Sequence, residues 1–134
     1  MPLKYVLDVD TCLAFLAGHP NVVARVLPLT DSELAATFIT MAELYFSAYS
    51  SSRMNDNLKK VADFASNITV LSGDKHTSEL AGRIKADLRR TSQPIDDASL
   101  YVACITLRHN LTLVTNTPRR FISVRGLQLE NWII

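Results

Sequence analysis

Short apolar runs alternate with helical patterns along the whole chain, and no other feature restricts its fold as much. Runs with strand character fall at residues 4–9, 36–39, 68–71 and 111–114, with a last short one at 128–129. Between them, residues 11–17, 21–27, 41–50, 54–66, 75–90 and 97–108 read as helices. Leu58, Val61, Ala62 and Ala65 mark one apolar stripe, and Leu80, Ile84 and Leu88 another. Gly18, Pro20, Pro28 and the run Ser50-Ser51-Ser52 supply the stops, and Asn110 suits a left-handed helix terminus. Strands that alternate with helices pair in parallel through crossovers that cover both sheet faces. The expectation is an α/β fold, a three-layer α/β/α sandwich around a central, mainly parallel sheet. The 134 residues carry no repeat, low-complexity tract or linker, so a single domain over 1–134 is expected.

Composition removes several classes. At 48% hydrophobic and 20% charged residues, the chain reads as globular rather than disordered. No apolar stretch approaches the roughly 20 residues that span a bilayer. Asp8 and Asp10 interrupt the apolar N-terminal segment, which therefore lacks a signal-peptide pattern. A cytoplasmic protein with no membrane partner is expected. Cys12 and Cys104 sit in apolar surroundings and read as buried free thiols. The four glycines form no phosphate-cradling loop. His19, His76 and His109 lack ligand-spaced partners, and Phe121 and Trp132 read as packing residues of the tail. Net charge is only +1, but Lys75, Arg83, Lys85, Arg89 and Arg90 cluster, which allows a local basic surface.

The acids carry the chemistry. In open parallel sheets, ligands gather at the carboxyl ends of the strands. Asp8 and Asp10 follow the first strand. Glu43 follows the second, where Thr40 as cap would make it the third helical residue of a capping box. Asp96 and Asp97 open the helix at 97–108, and Asn116 and Thr117 follow the strand at 111–114. Carboxylates crowded together repel, and burial adds to the cost. A hard divalent cation relieves it: Mg²⁺ takes a few carboxylate oxygens, waters and phosphate oxygens, and activates water. Each acid also has a structural reading. Asp8 suits a helix cap or ion pair, Asp10 a cap for a helix starting at Thr11, Asp97 a cap for the later helix, and Asp96 a solvated loop position.

At these residues the chain resembles the PIN-domain family, especially the VapC-type toxins of bacterial toxin–antitoxin pairs. The matching segments are Tyr5-Val6-Leu7-Asp8-Val9-Asp10, Met41-Ala42-Glu43-Leu44, Pro94-Ile95-Asp96-Asp97 and Leu113-Val114-Thr115-Asn116-Thr117-Pro118-Arg119-Arg120-Phe121. The ending from Val124 to Trp132 is similar too. The resemblance implies Mg²⁺ or Mn²⁺, cleavage of single-stranded or structured RNA by metal-activated water, a cognate antitoxin and a homodimer. Asp8 matches the first metal-binding acid and Glu43 the second. Asp10 falls where the family usually has Asn. The third acid aligns with Ser99 and the fourth acidic or amide position with Thr117, while Arg120 stands where an acid is common. Asp96 reaches the place vacated at Ser99 if the helix starts early; Asp97 reaches it if 96–98 are loop. The expected catalytic set is Asp8, Glu43 and Asp97, with Asp96 as a further metal ligand and Asp10, Ser99, Asn116 and Thr117 in support.

Two other readings stand beside this one. The losses at Ser99 and Thr117 would suit a PIN scaffold that binds RNA or protein without cleaving. Asp8-Val9-Asp10 also resembles the nucleophile motif of haloacid-dehalogenase-type phosphatases, with Asp8 attacking phosphorus, Asp10 as general acid, and Lys75 and Asp96-Asp97 downstream.

Overall fold

In the computed structural model, which describes residues 2–134, five short strands are spaced along the chain: β1 (Tyr5–Leu7), β2 (Leu34–Thr37), β3 (Thr69–Leu71), β4 (Thr112–Val114) and β5 (Gln128–Glu130). They form one sheet in the order β3-β2-β1-β4-β5, and every neighbouring pair is parallel. Val6 is level with Ala35 on one side and with Leu113 on the other. The connections carry six helices: α1 (Val9–Leu16), α2 (Pro20–Val26), α3 (Phe38–Tyr49), α4 (Met54–Ser66), α5 (Lys75–Arg90) and α6 (Asp97–Arg108). The expected α/β/α sandwich is what forms, with a sheet that is parallel throughout.

The side-chain period of a strand divides the core between the two faces. Leu7, Leu34 and Ala36 point to one face, where Cys12 of α1, Val22 of α2, Met41 and Leu44 of α3 and Phe64 of α4 cover them. Val6, Ala35 and Leu113 point to the other, under Val102, Ala103 and Ile105 of α6. Ala81 of α5 packs on Leu100 and Cys104 of α6 outside that layer. Both cysteines are buried and free. Among the described residues no helix is long and apolar enough to cross a membrane.

Several boundaries differ from the sequence expectation, each for a capping reason. The first strand stops at Leu7 rather than running to residue 9, and α1 begins at Val9 instead of Thr11. Asp8 is the cap: its Oδ1 accepts from the Val9 N–H at 2.9 Å. The second strand covers 34–37 rather than 36–39, because Thr37 ends it by capping α3, accepting from the Thr40 N–H at 3.2 Å. The capping box expected from Thr40 and Glu43 therefore does not form, and Glu43 sits in the second turn. A capping box does occur earlier, where Thr30 and Glu33 close a 3₁₀ turn over Asp31–Glu33. Asp96, not Asp97, caps α6 and accepts from the Ser99 N–H at 3.0 Å. Asn110 takes the expected left-handed conformation, with φ 55°.

The tail closes over the first face. The Trp132 ring meets Tyr5 edge-on, with centroids 5.0 Å apart, and the Arg25 guanidinium lies 4.8 Å over it. Its indole N–H donates to Glu130, which also pairs with Arg25.

Candidate active site

The strand order reverses between β1 and β4. From β1 the chain builds outward to β2 and β3 on one side, and β4 and β5 fill the other. Crevices at such a switch point are where open α/β sheets place their ligands. Asp8 emerges there from β1 and Thr115 from β4. The Asp8 N–H donates to the Val114 carbonyl at 2.9 Å, which locks the two strand ends together.

Around that lock the predicted residues assemble. Asp8 is buried and accepts at Oδ2 from the Thr115 hydroxyl at 2.9 Å. Asp10 reaches over from α1, where its Oδ2 accepts the Asn116 N–H at 3.0 Å and its Oδ1 the Thr11 N–H at 2.7 Å. Thr115 accepts in turn from the Thr117 N–H, and the Asn131 amide donates to the Asn116 side chain. Asn116 and Thr117 thus shape the wall of the notch. Asp10 is not the N-cap, since α1 already begins at Val9, but it keeps a bond to the Thr11 N–H while also clasping the β4 loop.

Glu43 and Asp96 enter from other elements. Glu43 stands exposed on α3, and its carboxyl is pushed up by partial desolvation, then by the charges of Asp8 and Asp96. Asp8 is also pushed up, chiefly by burial; the Thr115 hydrogen bond opposes this and the Asp10 charge adds to it. Asp96 moves the other way. Burial opposes its ionisation, but hydrogen bonds from Ser99 and the charge of Arg120 outweigh that. The Arg120 guanidinium lowers all three. Among the described residues, the notch therefore holds mutually repelling acids with the Arg120 cation acting on them.

Asp97 is not brought in. As the first helical residue of α6 it turns to α5 and pairs with Lys85 at 2.9 Å. Because α6 starts directly after Asp96, the cap turns back to the Ser99 N–H and its neighbour points about 100° further around the helix. Ser99 is buried beneath that cap.

Two residues of the site escaped sequence reasoning. Thr115 reads there only as one residue of the matching segment after the strand at 111–114, with no role of its own, although its hydroxyl orients Asp8. Arg120 reads as an acid lost, whereas the structure makes it a cation gained. Thr115→Val keeps the shape and removes the hydroxyl, leaving a buried carboxylate oxygen without its donor. We expect a loss of about 1–3 kcal/mol in chemical denaturation, and a further rise in the Asp8 pKa. Wild-type stability in that variant would contradict the assigned bond.

Among the described residues, no three His, Cys, Asp or Glu side chains stand close enough to hold a metal ion by themselves. The charge of Asp8 nevertheless pushes up the Glu43 carboxyl. Two carboxylates are the usual protein share for Mg²⁺, which completes its shell with waters and phosphate oxygens. The donor set fits that ion better than an all-protein cage. The phosphatase reading fits less well: both Asp10 oxygens are occupied by backbone N–H groups, those of Thr11 and Asn116, which tie the side chain into the β4 loop.

The PIN domain profile matches residues 5–127. The tRNA(fMet)-specific endonuclease VapC of Shigella flexneri is 30% identical over 97% of this chain and 98% of that protein. Ribonuclease VapC2 of Haemophilus influenzae strain Rd is 29% identical over 98% of this chain and 99% of its own length. Among solved structures, the DNA-bound VapBC of Salmonella typhimurium superposes with a TM-score of 0.89, at 30% identity and with 97% of this chain and 98% of that one covered.

Proposed function

The chain belongs to the PIN-domain family, and from that premise we propose that it is a VapC-type toxin, a divalent-metal-dependent endoribonuclease built as one domain over 1–134. Asp8 at the β1–β4 switch point, held by Thr115 and raising the Glu43 carboxyl by its charge, is the observation that carries this reading. Asp8 and Glu43 would hold Mg²⁺ or Mn²⁺, with Asp96 beside them. When bound, such an ion supplies Lewis acidity that polarises a phosphodiester and makes water nucleophilic at neutral pH. The protein's own part is orientation. Thr115 fixes the Asp8 carboxylate, and Asp10 holds the β4 loop against α1, so that the wall facing the RNA stays in register.

Similarity to VapBC structures supports a cognate antitoxin as partner. Exposed Leu13 on α1 and Phe46 and Tyr49 on α3 leave apolar surface for it. A homodimer and a cytoplasmic setting complete the proposal.

A second reading, a scaffold that binds RNA without cutting it, is favoured because, among the described residues, no three of the acids stand close enough to hold a metal ion by themselves. One experiment separates the two. Purified protein with Mn²⁺ should cleave an unstructured RNA, and EDTA should stop it. Calorimetry should show Mn²⁺ binding that Asp8→Asn removes. Folded protein that neither binds Mn²⁺ nor cleaves would leave the scaffold.

A further inference from the structure

One charge in the notch has no task in the scheme above. Arg120 ends a 3₁₀ turn over Pro118–Arg120, directly after the β4 loop. That turn is fixed at both ends. Thr117, whose carbonyl accepts the Arg120 N–H at 3.0 Å, is hydrogen-bonded to Thr115 in the site. Phe121, next in the chain, is fully buried in the core. The Arg120 side chain between these anchors is exposed.

The turn that Arg120 ends starts from Thr117, whose hydroxyl lies 3.4 Å from the Asp10 carboxylate. The charge of Arg120 is felt by Asp8, Glu43 and Asp96. Yet among the described residues it forms no ion pair with any of them, whereas Lys4, Arg25, Lys85 and Arg90 each hold a carboxylate within 3.2 Å. A guanidinium in the field of several carboxylates that pairs with none keeps its donors free for another anion. Arginine presents a planar fork of donors that matches two phosphate oxygens. A phosphodiester entering this notch meets Asp8, Asp10, Glu43 and Asp96, which repel it. A cation at the rim offsets that repulsion where the strand must pass.

We propose that Arg120 is a phosphate-binding arm of the active site, gripping an RNA phosphodiester beside the Asp8–Glu43 notch in a contact that needs no metal. This rests on the nuclease reading for its substrate class but not for its test. The alternative role is a counter-charge that merely relieves the acids. It would act on folding, and lysine would replace it fully.

The probe is a short fluorescein-labelled single-stranded RNA, titrated in EDTA and followed by anisotropy. Arg120→Ala should weaken binding about tenfold, the worth of a charge-assisted hydrogen bond pair. It should also flatten the slope of log K against log salt by about 0.7, the signature of one phosphate contact on a single strand. Arg120→Lys should recover the slope but only part of the affinity, because the fork is lost. Thermal melts of all three proteins should coincide. Unchanged affinity and slope in Arg120→Ala would overturn the proposal, as would full recovery of affinity by lysine or the absence of any RNA binding by the wild type in EDTA. A parallel Mn²⁺ cleavage assay keeps the two ideas apart. Wild type that does not cut but binds RNA through Arg120 sinks the nuclease and leaves the arm. Wild type that cuts while Arg120→Ala binds normally sinks the arm alone.

Discussion

Asp8→Asn should abolish RNA cleavage while leaving the protein at least as stable as the wild type. Removing the charge takes away the buried carboxylate at the switch point and, with it, several kcal/mol of transition-state stabilisation, about a thousandfold in rate. The fold has no comparable stake in that charge. Asn caps helices as well as Asp does, so the bond from the Val9 N–H survives. The Thr115 hydroxyl can turn to suit an amide. The sign of the pH dependence separates the variants further. Burial and Asp10 raise the Asp8 pKa in the folded state, so folding favours the protonated acid. That contribution is complete below the unfolded-state pKa and is lost as pH rises through the folded-state pKa. Metal-free wild type should therefore lose stability relative to Asp8→Asn as pH climbs through that window towards neutrality. The measurements are cleavage of labelled RNA with Mn²⁺, and urea denaturation at several pH values. A variant that cuts at the wild-type rate would remove Asp8 from the mechanism.

Trp132→Ala should be the most destabilising single substitution in the tail, at about 3–5 kcal/mol. The indole is 1% exposed and joins three separate parts of the chain. It packs edge-on against Tyr5 of β1, carries Arg25 of α2 over its face, and donates to Glu130 of β5. Its loss leaves a cavity over the first sheet face and frees the edge strand β5. Trp132→Phe keeps an aromatic partner for Tyr5 but drops the indole hydrogen bond, a loss of about 1 kcal/mol from that bond alone. Chemical denaturation of both variants gives the comparison. If alanine costs no more than phenylalanine, the tail is not an anchor of the sheet.

The two substitutions probe different layers of what the residues dictate. Alternating periodicities are local, and they were enough for the sandwich, the parallel sheet and the burial of Phe121 and Trp132. The strand-end address of Asp8 and Glu43 was equally legible, since any parallel arrangement carries the carboxyl ends to one edge. The choice within a pair of neighbours was not. Asp96 bonds the Ser99 N–H and Asp97 meets Lys85 because of where the α6 cap falls, and one residue along a helix turns a side chain by about 100°. Thr37 rather than Thr40 caps α3 for the same kind of reason. Capping signals recur every few residues in this chain, so pattern alone cannot rank them.

What the sequence determined by itself was the layered α/β architecture and the family. Periodicity and the order of short motifs survive without knowledge of distant contacts. What only the tertiary structure decided was the composition of the notch: Thr115 orienting Asp8, Asp10 clasping the β4 loop, Asp96 rather than Asp97 capping α6, and Arg120 without an ion pair among the described residues. Those relations join β1, α3, α6 and the loop after β4, segments up to 107 residues apart in the chain. Electrostatic and hydrogen-bond partners at that separation exist only once the sheet has brought its strand ends together.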